Sequence, residues 1–69
     1  MMNNNKILWI ARDKDNRLEL YFKRPREIGG IFISAQGCLG QLPKSWYPEI
    51  TLENSPKRVT LNIIDDGKV

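Results

Sequence analysis

Few residues in this chain have side chains suited to acid–base or nucleophilic catalysis. The sequence of 69 residues contains no histidine, so its single cysteine, Cys38, has no imidazole to deprotonate it. Asp13 and Asp15 are close in sequence, but the segment Asp-Lys-Asp-Asn is typical of an exposed turn. Such a turn gives neither carboxyl group an environment for general acid–base work. We therefore expect that this chain is not an enzyme.

The acidic segment at residues 13–16 is similar to the beginning of a calcium-binding loop, but the pattern does not continue. An EF-hand loop needs an oxygen ligand at its fifth position, glycine at its sixth and glutamate at its twelfth. Counted from Asp13, these positions hold Arg17, Leu18 and Arg24. The chain also lacks zinc-ligand spacing, and its glycines do not have the spacing of a phosphate-binding loop. We expect no metal, no cofactor and no small-molecule substrate.

Basic residues lie in two clusters, which is one feature of proteins that bind nucleic acid. The net charge is +3 and the isoelectric point is near 9.3. Small β-barrels bind single strands with a basic groove and with exposed aromatic side chains, on which bases stack. The candidate residues are Tyr21, on the polar face of a predicted strand, and Lys23, Arg24, Arg26, Lys57 and Arg58. The alternative is that these basic side chains only solvate strand ends, since four glutamates interrupt the positive field.

A protein-interaction surface is the leading expectation by elimination, and the apolar residues give it some support. From Lys6 to Arg12, apolar side chains occupy both alternating faces, so we expect this strand to be central in a sheet or covered on both sides. A candidate interaction patch consists of Leu8, Ile10, Ile28 and Phe32, which exceed what so short a chain buries by itself. The patch, or an open sheet edge, would bind an unknown partner protein or a second copy of the chain. The alternative is that a closed barrel covers these residues.

Short alternating segments separated by turn residues predict a mostly β fold, as a small antiparallel barrel or rolled sheet of five or six short strands with one short helical turn. The predicted strands span residues 6–12, 17–23, 31–35, 38–42, 50–53 and 57–64, and the helical turn spans 43–47. Trp9 and Trp46 are expected in the core, and Asn16 is expected at a positive φ in the first hairpin turn. The predicted single β domain covers 6–64, between a disordered N-terminus at 1–5 and a flexible tail at 65–69.

The sequence also predicts a cellular compartment. Its longest apolar run, residues 7–11, is far shorter than the ~20 residues that cross a bilayer. The N-terminal residues lack the basic start and the apolar stretch of a secretory signal peptide. A single cysteine cannot form an internal disulfide, which is typical of a reducing compartment. We therefore expect a cytoplasmic protein without a membrane segment.

Two segments of the chain resemble some short, uncharacterised bacterial proteins. Trp9-Ile10-Ala11-Arg12-Asp13, followed by a turn and alternating leucines, is similar to their W-I-A-R-D opening, and residues 47–56 are similar to their aromatic-P-E-V-T-W-E-N-S-P segment. The chain departs from them at Asn16, where glycine is usual, and at Leu52, where tryptophan is usual. The resemblance implies bacterial origin and small size, but no function. We expect a non-catalytic protein-interaction or accessory module, with a single-stranded nucleic-acid-binding β-barrel as the alternative.

Overall fold

The computed structural model describes residues 6–61, which form six β-strands and no helix. The strands are β1 (Lys6–Arg12), β2 (Leu18–Tyr21), β3 (Arg26–Ile28), β4 (Ile31–Ile33), β5 (Gly40–Leu42) and β6 (Lys57–Leu61). Four of them form an antiparallel sheet in the order β5-β2-β1-β6, while β3 and β4 form a separate antiparallel hairpin. The prediction of a mostly β fold is confirmed.

The turn between β1 and β2 is held by one aspartate. The Asp13 carboxylate is buried, and its Oδ1 accepts hydrogen bonds from the backbone N–H groups of Asp15 at 2.9 Å and Arg17 at 3.0 Å. Asn16 lies at φ 70°, as predicted, in a conformation that asparagine tolerates better than most residues. The turn sets the register of the hairpin, in which Trp9 lies opposite Tyr21 and Ala11 opposite Glu19.

Each face of the four-stranded sheet carries its own small core. On one face Ile10, Leu18 and Ile50 are buried together. On the other face Ala11 and Tyr21 pack with Phe32 of the β3–β4 hairpin. Full burial of a side chain such as Leu18 contributes about 1.5–3 kcal/mol to stability. The apolar pattern on both faces of β1 is therefore explained by covering segments of the same chain.

Three predicted elements are wrong. The sheets of residues 6–61 do not close into a barrel, because β3 and β4 form a two-stranded sheet of their own. The helical turn at 43–47 is replaced by hydrogen-bonded turns, since Tyr47 at φ 50° cannot continue a right-handed helix. The strand at 50–53 is a turn, in which the Asn54 Oδ1 accepts a hydrogen bond from the Thr51 N–H at 2.8 Å. Side-chain bonds of this kind compete with strand pairing.

The ends of the domain are described only in part. The predicted disordered N-terminus at 1–5, residues 62–64 of the last predicted strand and the predicted tail at 65–69 lie outside the described residues. Within residues 6–61, no helix is long and apolar enough to cross a membrane.

The short strand β3 was not predicted from the sequence. Pro25 and the Gly29-Gly30 pair leave only three residues between them, which is too few to show alternation.

Candidate functional site

Arg12 organises the segment that crosses one face of the sheet. Its side chain is buried at the end of β1, and its guanidinium donates hydrogen bonds to carbonyl oxygens far along the chain. Nε bonds to the Ile50 oxygen at 2.6 Å, and Nη2 bonds to the Trp46 and Tyr47 oxygens at 2.8 and 3.1 Å. Nη1 bonds to the Lys44 oxygen at 3.0 Å. One side chain therefore fixes the path of the backbone from residue 44 to residue 50.

The backbone of Arg12 is connected to the turn that follows this segment. Its N–H donates to Ser55 Oγ at 2.9 Å, and Ser55 Oγ donates in turn to the Thr51 oxygen at 2.6 Å. Asn54 Nδ2 donates to the Glu49 oxygen at 2.9 Å, which closes the same loop. The segments 9–20 and 47–56 therefore meet in space, and the residues that join them have a structural role.

The segment ordered by Arg12 presents two aromatic side chains. Trp46 is 50% exposed and Tyr47 is 48% exposed, and their rings meet edge to face with centroids 6.3 Å apart. The positive φ of Tyr47, 50°, is uncommon for a bulky residue and costs of order 1–3 kcal/mol. The hydrogen bonds from Arg12 to both carbonyl groups keep this strained backbone in place. The prediction that Trp46 lies in the core is wrong.

Beside these two rings lies an apolar depression of about 230 Å³, which we call the apolar groove. Its floor and walls are formed by Leu8, Ile10, Leu20, Leu42, Trp46, Tyr47, Ile50, Val59, Thr60 and Leu61. Two lysines lie on the same side of the sheet, since Lys57 pairs with Ile10 and Lys6 pairs with Leu61. The groove is thus an apolar surface with positive charges placed along β1 and β6.

The opposite side of the sheet presents a different surface. Trp9 is partly buried and packs against the core cluster of Ala11, Tyr21 and Phe32, so its predicted place in the core is confirmed in part, with some of its surface left accessible. The Arg24 guanidinium carbon lies 5.1 Å from the centre of the Trp9 ring, and Arg58 is the cross-strand partner of Trp9 on β6. We call these three residues the arginine–tryptophan surface. Strand alternation places Arg58 on this side and Lys57 on the groove side, so the second basic cluster is divided between two faces.

Tyr21 does not offer a stacking platform. It is 2% exposed, because Phe32 of β4 packs over the face of β2 that was expected to be open. Its hydroxyl donates to Glu19 Oε1 at 2.8 Å. Burial, and then this hydrogen bond, raises the pKa of Tyr21 above its ordinary value of 10. The expectation of an exposed Tyr21 is therefore wrong, whereas Lys23, Arg24, Arg26, Lys57 and Arg58 are exposed or partly exposed.

The predicted interaction patch does not exist as one surface. Leu8, Ile10 and Phe32 are buried, because residues 43–50 cover one side of the sheet and the β3–β4 hairpin covers the other. Ile28 alone remains accessible, at 51%. It pairs with Ile31 on the outer face of the hairpin, where Ile33 is also exposed. Periodicity revealed apolar faces but not which distant segment covers each of them.

The residues considered for catalysis are not grouped into a reactive site. The Asp13 carboxylate accepts hydrogen bonds from its own turn and from Arg17 Nε at 3.1 Å, which also raises the pKa of that guanidinium. Cys38 is an exposed free thiol in the loop before β5. In the described part of the chain, no group of three histidine, cysteine, aspartate or glutamate side chains could hold a metal ion.

Comparisons with known proteins give no assignment for these surfaces. The chain matches no protein-family model, no curated protein and no solved structure. The apolar groove and the arginine–tryptophan surface are therefore interpreted from their own geometry and chemistry.

Proposed function

We propose that this chain is a non-catalytic protein-interaction module of the bacterial cytoplasm, and that it binds an extended segment of a partner protein in the apolar groove. The observation that carries the proposal is the Trp46–Tyr47 pair, half exposed beside the groove and held there by Arg12. A side chain ordered before binding loses less entropy when a partner arrives. Trp and Tyr are also the residues most often found as anchors of binding energy at protein interfaces.

The aromatic and aliphatic lining of the groove favours an extended peptide. Aromatic-lined grooves on small β domains bind proline-rich segments, whose polyproline II conformation is already formed before binding. The lining consists almost entirely of aliphatic and aromatic residues, so it offers apolar contact area more than hydrogen bonds. We therefore propose a partner segment that contains proline or aliphatic residues at alternating positions.

The charges beside the groove favour an acidic flank on that segment. Lys57 and Lys6 are exposed and share the groove side of the sheet. A carboxylate next to the apolar residues of the peptide would meet these ammonium groups, which speeds association and selects against basic partners. Such rim charges contribute modestly to affinity, and the aromatic anchors contribute more.

Selection from a library of displayed random peptides tests the proposal and defines the preferred peptide sequence in the same experiment. We expect enriched sequences with proline or aliphatic residues beside aspartate or glutamate. A synthetic peptide of the enriched sequence is then titrated against purified variants by calorimetry. Trp46→Ala is expected to weaken binding by about tenfold or more, because it removes an exposed anchor.

Neighbouring residues of β6 provide a matched pair of controls. Lys57→Gln removes one positive charge on the groove side, whereas Arg58→Gln removes one on the opposite side. We expect peptide binding to weaken with the first variant and to remain unchanged with the second. Absence of any enriched sequence that depends on Trp46 would contradict the proposal. A dimer that dissociates in Trp46→Ala would instead identify a second copy of the chain as the occupant of the groove.

A further inference from the structure

We propose that the arginine–tryptophan surface is a second binding site, specific for single-stranded nucleic acid. This inference goes beyond the peptide-binding function and does not depend on it. The site lies on the opposite side of the sheet from the apolar groove, since Trp9 and Arg58 alternate with Ile10 and Lys57 along β1 and β6. It differs from the residues predicted by sequence, because Trp9 replaces Tyr21 as the aromatic member.

The geometry brings together an aromatic ring and two guanidinium groups from three parts of the chain. Trp9 lies in the middle of β1, and Arg58 is directly opposite it on β6. Arg24 follows β2, and its guanidinium carbon is 5.1 Å from the centre of the indole ring. The next cross-strand pair on this side, Ile7 and Thr60, is exposed and continues the same strip towards the end of the sheet.

The chemistry of this strip fits the two parts of a nucleotide. An indole ring, or a guanidinium plane that lies over it, provides a flat surface on which a base stacks whatever its sequence. Loss of such a stacking platform weakens binding measurably. The platform accepts every base, because each base has a π face. The five N–H groups of each guanidinium match the oxygens of a phosphate in a way that lysine does not. Arg24 and Arg58 therefore have the chemistry to contact phosphates on either side of a stacked base.

The secondary structure and composition of this side of the sheet favour a single strand over a duplex. A duplex is read by a helix or a two-stranded ribbon that enters the major groove. The described residues 6–61 contain no helix, and the outer face of the β3–β4 hairpin carries Ile28, Ile31 and Ile33, which do not suit a groove lined by phosphates. Unpaired bases can instead lie along Ile7, Arg58 and Thr60, which are exposed on β1 and β6 beside Trp9.

The two tryptophans allow a direct test with the full chain. Trp46→Phe leaves Trp9 as the single indole, so its fluorescence reports on the proposed site alone. We titrate this variant with oligothymidylate, with oligouridylate and with a DNA duplex. Stacking of a base is expected to quench Trp9 emission with both single strands and not with the duplex.

Salt dependence and one matched pair of substitutions decide whether nucleic acid binds at the arginine–tryptophan surface or is attracted diffusely to a basic protein. If two arginines neutralise two phosphates, the logarithm of the binding constant falls with the logarithm of salt concentration with a slope of about −1.4. Arg58→Gln should halve this slope and weaken binding about tenfold. Lys57→Gln removes the same charge from the adjacent residue on the other side of the sheet, so Trp9 quenching should persist.

Three results would overturn the inference. The first is no quenching of Trp9 at low salt by either single strand. The second is equal weakening by Arg58→Gln and Lys57→Gln, since this indicates diffuse attraction to a basic protein and no site. The third is tighter binding of the duplex. Circular dichroism of each variant verifies that the fold persists, and Arg24→Gln serves as a second variant should Arg58→Gln fail to fold.

Discussion

Replacement of Arg12 by lysine tests whether the guanidinium of this residue builds the groove. The five N–H groups of the guanidinium reach six acceptor atoms, with one N–H of Nη1 shared: the carbonyl oxygens of Ile50, Lys44, Trp46 and Tyr47, and both the carbonyl and side-chain oxygens of Asn16. Lysine keeps the positive charge but has three N–H donors on one atom and cannot span so many acceptors. The variant therefore separates the geometry of the side chain from its charge.

The cost of Arg12→Lys follows from which acceptors lose their partners. The bond to the Ile50 oxygen is buried, and leaving such a carbonyl unpaired costs about 1–3 kcal/mol. The other acceptors are partly buried and can bond to water in the variant, so the loss of each of these bonds lowers the free energy of unfolding by less. We expect a total loss of about 2–4 kcal/mol in the free energy of unfolding. A domain of 69 residues has only about 3–10 kcal/mol in all, so this loss is large.

Urea denaturation followed by circular dichroism measures this loss, and Trp46 emission, read in a Trp9→Phe background where Trp46 is the single indole, reports on the groove. Arg12→Lys should lower the melting temperature by at least about 8 °C and shift Trp46 emission to longer wavelength. Arg17→Lys is the matched control, since its side chain is 44% exposed and the substitution should cost far less than Arg12→Lys. Equal stability of the two variants, together with unchanged Trp46 emission in Arg12→Lys, would refute the role given to the guanidinium.

Two further substitutions test other parts of the fold. Because the pKa of Tyr21 is raised, the folded state keeps the phenol proton to higher pH than the unfolded chain. The protonated phenol therefore stabilises the fold fully below about pH 10, and this contribution is lost as the pH rises above that value. Tyr21→Phe should cost about 1 kcal/mol at neutral pH and remove this alkaline loss. Urea titrations of both proteins at neutral pH and above about pH 10 measure it. A parallel loss of stability in the two proteins above about pH 10 would contradict the role given to the Tyr21 phenol. Gly30→Ala should destabilise by about 1–3 kcal/mol, because φ is 86° and the new Cβ would lie 2.8 Å from Lys14 Cδ. Gly40→Ala, with nothing within 4 Å, is its control, and equal melting temperatures would show that Gly30 is not under this constraint.

The two proposed surfaces share a simple origin in strand geometry. Lys57 and Arg58 are adjacent in sequence, but alternation on β6 directs one to the apolar groove and the other to Trp9. A short module of this kind can therefore present an apolar face and a cationic aromatic face without any helix in the described residues 6–61. Substitutions at these neighbouring positions would separate the two proposed binding activities in one protein.

Local features were determined by the sequence alone. The bounds of β1, the hairpin turn and the positive φ of Asn16 follow from alternation and from turn residues, which act over a few positions. The absence of histidine, and with it the lack of the usual general base near neutral pH, is equally a property of the sequence.

Only the tertiary structure decided which faces are covered. Tyr21 is buried by Phe32, 11 residues away, and Ile10 by Ile50 from the far part of the chain. Arg12 looks like a polar residue at the end of a strand, yet its hydrogen bonds reach 38 residues along the chain to Ile50. Periodicity describes which side chains share a face, but the energy of burial depends on the segment that packs there. Long-range packing therefore moved Tyr21 inward and left Trp9 and Trp46 partly open at the two proposed sites.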